Sequence, residues 1–326
     1  MMIRLICAAA MMTLTGAPLF ATESHPSTDS IARMTFHRAT VDGVGIFYRE
    51  AGSPSNPTIV LLHGFPSSSR QFNALIPLLA TRYHLIAPDY PSFGQSDTPD
   101  PSDYAYTFDH LAQTVDGLLE QLGIAKYSLY VHDYGGPIGY RLMVAHPDRL
   151  QSLIVSNANA YEEGLGKKWT QIAAFWDNPG AHWEVVDAFL SEKATRERHT
   201  LGTTHLERYD PDAWTDEIRH LSLPGQRAIQ TRLLYDYRTN VASYPRWQAW
   251  LREHQPPTLV VWGKNDPSFV AAGALAFARD VPRAEIHLVD ASHWPWEEAN
   301  DEVAGYVLNF MARTVPKAKA AGGSGR

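Results

Sequence analysis

Cysteine is almost missing: one residue in 326, Cys7, and it lies in an N-terminal stretch that reads as a removable leader. The mature chain is therefore expected to have no disulfide, no thiol nucleophile and no cysteine metal site. No long run of one charge sign occurs either. With 28 Lys and Arg against 35 Asp and Glu, the net charge is −7, which gives no footprint for nucleic acid or an anionic membrane as partner. The longest leading apolar stretch, Leu5 to Leu14, is too short to span a bilayer, so no membrane anchor is expected. There is no internal repeat, no GxGxxG or P-loop pattern and no His, Asp and Glu cluster at ligand spacing. Neither a nucleotide cofactor nor a metal is predicted, and nothing in the sequence specifies an oligomeric state.

At the N-terminus, a single positive side chain (Arg4), an apolar core and small residues at Gly16 and Ala21 have the shape of a secretory signal peptide. Residues 1–21 are assigned to it and 22–34 to a polar linker, which predicts a periplasmic or secreted protein. The last residues, 316–326, are small, basic and glycine-rich, and are expected to be disordered.

Between these ends the chain alternates strand and helix. Two alternating runs, Met34 to Val41 and Val44 to Glu50, flank Asp42-Gly43, the signature of a β-hairpin. Thr58 to Leu62 is continuously apolar, as in a strand buried on both faces. Then follow a helix over Ser69 to Leu79, a strand over His84 to Ala87, a helix over Phe108 to Leu122, a strand over Lys126 to Val131, a helix over Gly136 to His146 and a strand over Leu150 to Ser156. The rhythm breaks from Ala158 to about His254, a helical, aromatic stretch holding six of the nine tryptophans. It resumes with strands at Thr258 to Trp262 and Glu285 to Val289, followed by helices over Val270 to Arg279 and Trp296 to Ala312. The predicted architecture is α/β: a mostly parallel eight-stranded sheet with helices on both faces, built from residues 35–157 and 255–315, with a helical cap, 158–254, inserted between them.

Chemistry concentrates at strand ends, where open α/β sheets bind ligands. Tyr130-Val131-His132-Asp133-Tyr134-Gly135-Gly136 is a strand–turn–helix segment that presents one side chain at a sharp turn. That side chain is a carboxylate, which attacks electrophilic carbon and leaves an ester on the enzyme. Asp266 in Gly263-Lys264-Asn265-Asp266-Pro267 and His293 in Ala291-Ser292-His293-Trp294 end two later strands. Nucleophile, acid, histidine is the chain order of α/β-hydrolases. Any one of these residues alone is more simply a cap, a turn former or a surface group; three in this order are hard to explain so.

With His63-Gly64-Phe65-Pro66 and Pro88-Asp89-Tyr90-Pro91-Ser92-Phe93-Gly94-Gln95-Ser96-Asp97 added, residues 35 to 313 resemble an α/β-hydrolase of the epoxide hydrolase and haloalkane dehalogenase branch. In that reading Asp133 forms an alkyl ester, His293 activates the water that hydrolyses it, and Asp266 orients His293. The resemblance also places an oxyanion hole on the backbone N–H groups of Phe65 and Tyr134. A second family position for the acid falls on Asn157, which carries no charge, so Asp266 is preferred. His63 and His132 are expected to make core hydrogen bonds, and Asp97 to pin its loop.

The leaving group is the open question. Tyr134 and Phe65 stand where many haloalkane dehalogenases have a tryptophan and some an asparagine. Tyr237 resembles a lid tyrosine of epoxide hydrolases, but no second lid tyrosine stands out near Phe175 and Trp176. Tyr237, Trp176 and Trp294 are the candidate substrate-binding residues, and the aromatic cap suggests an apolar or aromatic small molecule. An epoxide hydrolase is preferred. A haloalkane or haloacid dehalogenase, an esterase or lactonase, and a non-catalytic binding protein on the same fold are the alternatives.

Overall fold

The computed structural model describes residues 33–315. The expected leader 1–21, most of the expected linker 22–34 and the tail 316–326 lie outside the described residues. β1 (Thr35–Val41) and β2 (Val44–Ala51) form the predicted hairpin, with Val41 opposite Val44. Asp42 and Gly43 both take positive φ, 48° and 83°, which a two-residue turn of this twist requires.

The remaining strands are β3 (Thr58–Leu62), β4 (His84–Pro88), β5 (Tyr127–His132), β6 (Leu150–Ser156), β7 (Thr258–Gly263) and β8 (Glu285–Val289). They form one eight-stranded sheet in the order β1-β2-β4-β3-β5-β6-β7-β8, parallel from β4 to β8. β3 shows why the central strands read as unbroken apolar runs. Val60 and Leu62 enter one hydrophobic cluster and Ile59 and Leu61 another, so both faces are buried.

On the core run α1 (Ile76–Leu79), α2 (Phe108–Gln121) and α3 (Gly135–Ala145). Between β6 and β7 follow α4 (Lys168–Asp177), α5 (Trp183–Phe189), α6 (Glu192–Thr200), α7 (Pro211–Leu221), α8 (Gln226–Asp236) and α9 (Arg238–His254). The core closes with α10 (Ala271–Asp280) and α11 (Pro295–Thr314). The helix expected over Ser69 to Leu79 is two pieces: a 3-10 turn, Ser69–Phe72, capped by Ser68, and then α1. Pro77 has no N–H to bond back along a continuous helix, so a new helix starts around it. No helix among the described residues is long and apolar enough to cross a membrane.

The inserted helices bind the core through specific polar contacts. Phe108 N–H donates to the Asp236 carboxylate at 2.8 Å, His220 Nε2 donates to Ser92 O at 2.9 Å, and Arg141 donates to Asn240 Oδ1 at 2.7 Å. Trp169 Nε1 donates to Ser268 O at 3.1 Å. These fix α4, α7, α8 and α9 over the C-terminal ends of the parallel strands, where the loops bearing Asp133, Asp266 and His293 emerge.

Candidate active site

Asp133 sits at the turn between β5 and α3 with φ +48°. This left-handed backbone is uncommon for a non-glycine residue, though Asp tolerates it better than most. Two glycines make the turn possible. A Cβ on Gly135 would lie 2.1 Å from Leu62 O, and one on Gly64 would lie 2.5 Å from Asp133 Cβ. α3 thus starts against β3 itself, and the loop after β3 passes directly over Asp133.

That loop brings Phe65 N–H to Asp133 Oδ1 at 2.7 Å, and the Tyr134 N–H beside it also favours the ionised carboxylate. Oδ2 is left facing His293 Nε2 at 3.7 Å. On its other side, His293 Nδ1 lies 2.6 Å from Asp266 Oδ2. With the Nδ1 proton shared toward Asp266, Nε2 turns its lone pair to Asp133. Burial pushes the Asp133 carboxyl up; His293 and the two amides pull it back only in part. Asp266 is also buried, but there His293 and its hydrogen-bond donors outweigh desolvation, and its pKa lies below the ordinary value. One carboxylate is thus held as a firm anion and the other is destabilised as an anion, within the same site.

Asn157 acts differently from the vacant acid position that the sequence suggested. At the end of β6, with φ +43°, it donates Nδ2 to Asp266 Oδ2 at 2.8 Å and accepts Gly263 N–H at 2.9 Å. Ser268 N–H and Phe269 N–H bond Asp266 Oδ1 at 2.7 and 3.1 Å. Asn157 therefore positions the acid. Asn157→Asp would set two carboxylates face to face with a hydrogen bond lost between them. Because like charges raise one pKa, turnover is expected to fall about a hundredfold and its acidic limb to move up in pH, measured as kcat across pH 5–9.

His132 Nε2 donates to His293 O at 2.9 Å and its Nδ1 accepts from Gln71 Nε2 at 3.2 Å. Burial holds its pKa well below the usual value, so it stays neutral and braces the His293 loop. His63, pushed down to about 3 by burial, bridges Gly64 O and Tyr90 N–H. Asp97 binds Gly45 N–H at 2.8 Å and pairs with Arg38, holding its loop to β2.

Tyr134 and Tyr237 come together beside Asp133. Their rings lie 5.8 Å apart, both hydroxyls are buried, that of Tyr237 beside Tyr244, and both feel the Asp133 charge. Burial first, then the Asp133 charge for Tyr134 and the neighbouring Tyr244 and Asp133 for Tyr237, keeps both phenols protonated far above neutral pH. Trp176 stacks on Tyr237 and donates Nε1 to Leu234 O at 2.7 Å, so it backs the tyrosine. Trp294 lies edge-on to His293 and stacks at 3.9 Å on His199, a cap residue paired with buried Glu217.

Sequence reasoning missed the site's two cations, Lys168 on α4 and Arg198 on α6. Both line a cavity of about 390 Å³ formed by α4, α5, α6 and the loop after β7, beside Phe189, which stacks on Phe65. Arg198 falls in Glu-Lys-Ala-Thr-Arg-Glu-Arg-His, a stretch that looks like any solvated helix face. Among the described residues no group of three or more His, Cys, Asp or Glu side chains is arranged to hold a metal ion.

Comparison with known proteins fits this geometry. Residues 57–299 match the family model of the α/β hydrolase fold. An uncharacterized hydrolase of Saccharomyces cerevisiae is 40% identical over 283 residues, covering 85% of this chain and 97% of that protein. Epoxide hydrolase 3 of Xenopus tropicalis is 26% identical, with 93% and 86% covered. The haloalkane dehalogenase DbeA of Bradyrhizobium elkanii superposes with a TM-score of 0.67 at 23% identity, covering 86% of this chain and all of that one. Cis-3-alkyl-4-alkyloxetan-2-one decarboxylases are further relatives.

Proposed function

The chain belongs to the α/β-hydrolase fold family and is a hydrolase enzyme, and on that premise we propose that it opens epoxides through an ester on Asp133. The observation that carries this reading is the pairing of a half-held carboxylate with two buried phenols. Asp133 Oδ1 accepts the Phe65 N–H while Oδ2 faces His293 Nε2, and the buried Tyr134 and Tyr237 hydroxyls stand within reach of the Asp133 charge, Tyr237 with Tyr244 as its neighbour.

In the first half-reaction Oδ2 attacks an epoxide carbon. A C–O bond to Asp133 forms as a ring C–O bond breaks, and the electron pair leaves on the substrate oxygen. That alkoxide takes its proton from the phenol pair, with Tyr237 the donor from the cap. In the second half-reaction His293 Nε2 removes a proton from water, which adds to the Asp133 carboxyl carbon. The tetrahedral oxyanion sits on the Phe65 and Tyr134 amides. The ester C–O bond to the carboxyl carbon then breaks, His293 protonates the departing alcohol, a diol leaves, and the proton on the released Asp133 carboxyl returns to the phenolate formed in the first half-reaction. Asp266 stabilises the imidazolium throughout.

Halide displacement uses the same carboxylate but releases a weakly basic anion that needs no proton. Tyr237→Phe separates the two. It is expected to lower kcat on epoxides about a hundredfold and to change halide release little. Diol formation and halide release are followed side by side on matched epoxides and alkyl halides. Faster halide release by the parent enzyme, or an indifferent Tyr237→Phe, would turn the assignment to a dehalogenase.

A further inference from the structure

The cavity of about 390 Å³ between α4, α5, α6 and the loop after β7 is walled mainly by apolar side chains such as Ile172, Val185 and Phe189. Three cations break that wall: Lys167, which is exposed, and the half-buried Lys168 and Arg198. Lys168 Nζ lies 2.5 Å from Ser268 Oγ, and Ser268 N–H in turn bonds Asp266. The Arg198 guanidinium lies 4.8 Å from the Phe65 ring centroid and 4.5 Å from that of Phe189, and donates to Phe189 O at 2.5 Å.

Neither Lys168 nor Arg198 has a carboxylate within ion-pair distance among the described residues. Glu197, the one acidic residue lining the cavity, instead faces Lys193 at 3.7 Å. Burial and mutual repulsion bring Lys168 down to about 8, and burial brings Arg198 down to about 10. Only the charges of Asp133, Asp266 and Glu217 at longer range balance these two cations, so an added anion in this largely apolar cavity gains from both. Of the lining residues, Phe189 and Arg198 contact Phe65, and Ser268 N–H bonds Asp266, so the cavity wall touches the groups that hold Asp133 and His293 without including Asp133 itself. An anionic substrate would otherwise be repelled by Asp133; the Lys168 and Arg198 charges offset that repulsion.

We propose that Lys168 and Arg198 bind the carboxylate of the substrate, so that the natural electrophile is a short acid, an epoxycarboxylate, rather than a purely apolar or aromatic molecule. This rests on Asp133 being the nucleophile. Arg198 supplies a planar fork for the carboxylate and Lys168 a point charge, leaving the electrophilic carbon to extend toward Asp133.

The test compares kcat/KM for 2,3-epoxybutyrate and its amide. The acid is expected to be preferred at least about tenfold, and the double variant Lys168→Met, Arg198→Met to erase that preference. A second measurement needs no variant: butyrate should compete with turnover of the neutral amide, and butyramide should not. A ratio at or below one, an unchanged ratio in the folded variant, or competition by inorganic phosphate but not butyrate overturns the proposal. If the cations only steadied Asp133, acid and amide would lose rate equally and the ratio would hold. Mass spectrometry of the His293→Gln protein separates this proposal from its premise. An adduct on Asp133 from the amide with no preference for the acid sinks the carboxylate pocket alone. No adduct from either sinks both.

Discussion

His293→Gln is expected to yield an enzyme that reacts once and stops. Attack by Asp133 Oδ2 needs no proton from His293, whose Nε2 is 3.7 Å away. Hydrolysis does, because water must lose a proton as it adds to the ester carbon. Glutamine fills much of the imidazole's volume and still reaches Asp266 with an N–H, but it has no basic nitrogen. Steady-state turnover should therefore fall by about 10⁴ or more. Alkylation should survive as a burst of one equivalent, and intact-mass spectrometry should show the protein heavier by one substrate. Digestion should place the added mass on the peptide carrying Asp133. Equal loss of burst and turnover would mean that His293 acts before the ester forms, and the two-step scheme would fall.

The parts of this site that were readable in the sequence are those where backbone geometry restricts residue choice. Thr58 to Leu62 is apolar throughout because both faces of β3 are covered. The Asp133 turn is legible because Gly135 has to abut Leu62 O, and glycines beside a lone acid after a strand are a local signal. Asp266 and His293 follow the same logic at the ends of β7 and β8. What was hidden depends on distance in space. Asn157 was judged only on its lack of charge, whereas its amide joins β6 to Asp266 across 109 positions of sequence. His132 and Gln71, 61 positions apart, brace His293 through bonds that no spacing rule encodes. Lys168 and Arg198 look like ordinary exposed helix charges until α4 and α6 are folded over Phe65. The expectation of an apolar ligand came from counting cap aromatics, many of which, such as Trp169, Trp176 and Tyr237, pack on one another. The Ser69–Leu79 region shows the opposite error, a periodic pattern overruled by Pro77.

Asp133→Asn is expected to remove both halves of the reaction together, which no other single change at this site does. Asparagine keeps the side-chain volume and tolerates φ +48°, so the turn between β5 and α3 should hold. Its amide oxygen cannot displace a leaving group to give a stable ester, and no ester means nothing for His293 to hydrolyse. Turnover should drop by at least about 10⁴, and adding Asp133→Asn to His293→Gln should abolish the mass adduct. The variant should also unfold at a higher temperature than the parent near neutral pH. Burial raises the Asp133 pKa in the folded protein, so above that pKa the ionised group favours the unfolded chain; a neutral amide removes that penalty and still accepts the Phe65 N–H. Isotopic oxygen distinguishes an Asp133 that attacks carbon from one that merely activates water. In a single turnover of the parent enzyme in ¹⁸O water, the covalent route puts the heavy oxygen into Asp133 and leaves the diol unlabelled. Direct attack by water puts it into the diol at once. A labelled diol on the first turnover, with Asp133 unlabelled, would make the carboxylate a general base and undo the covalent reading of this site.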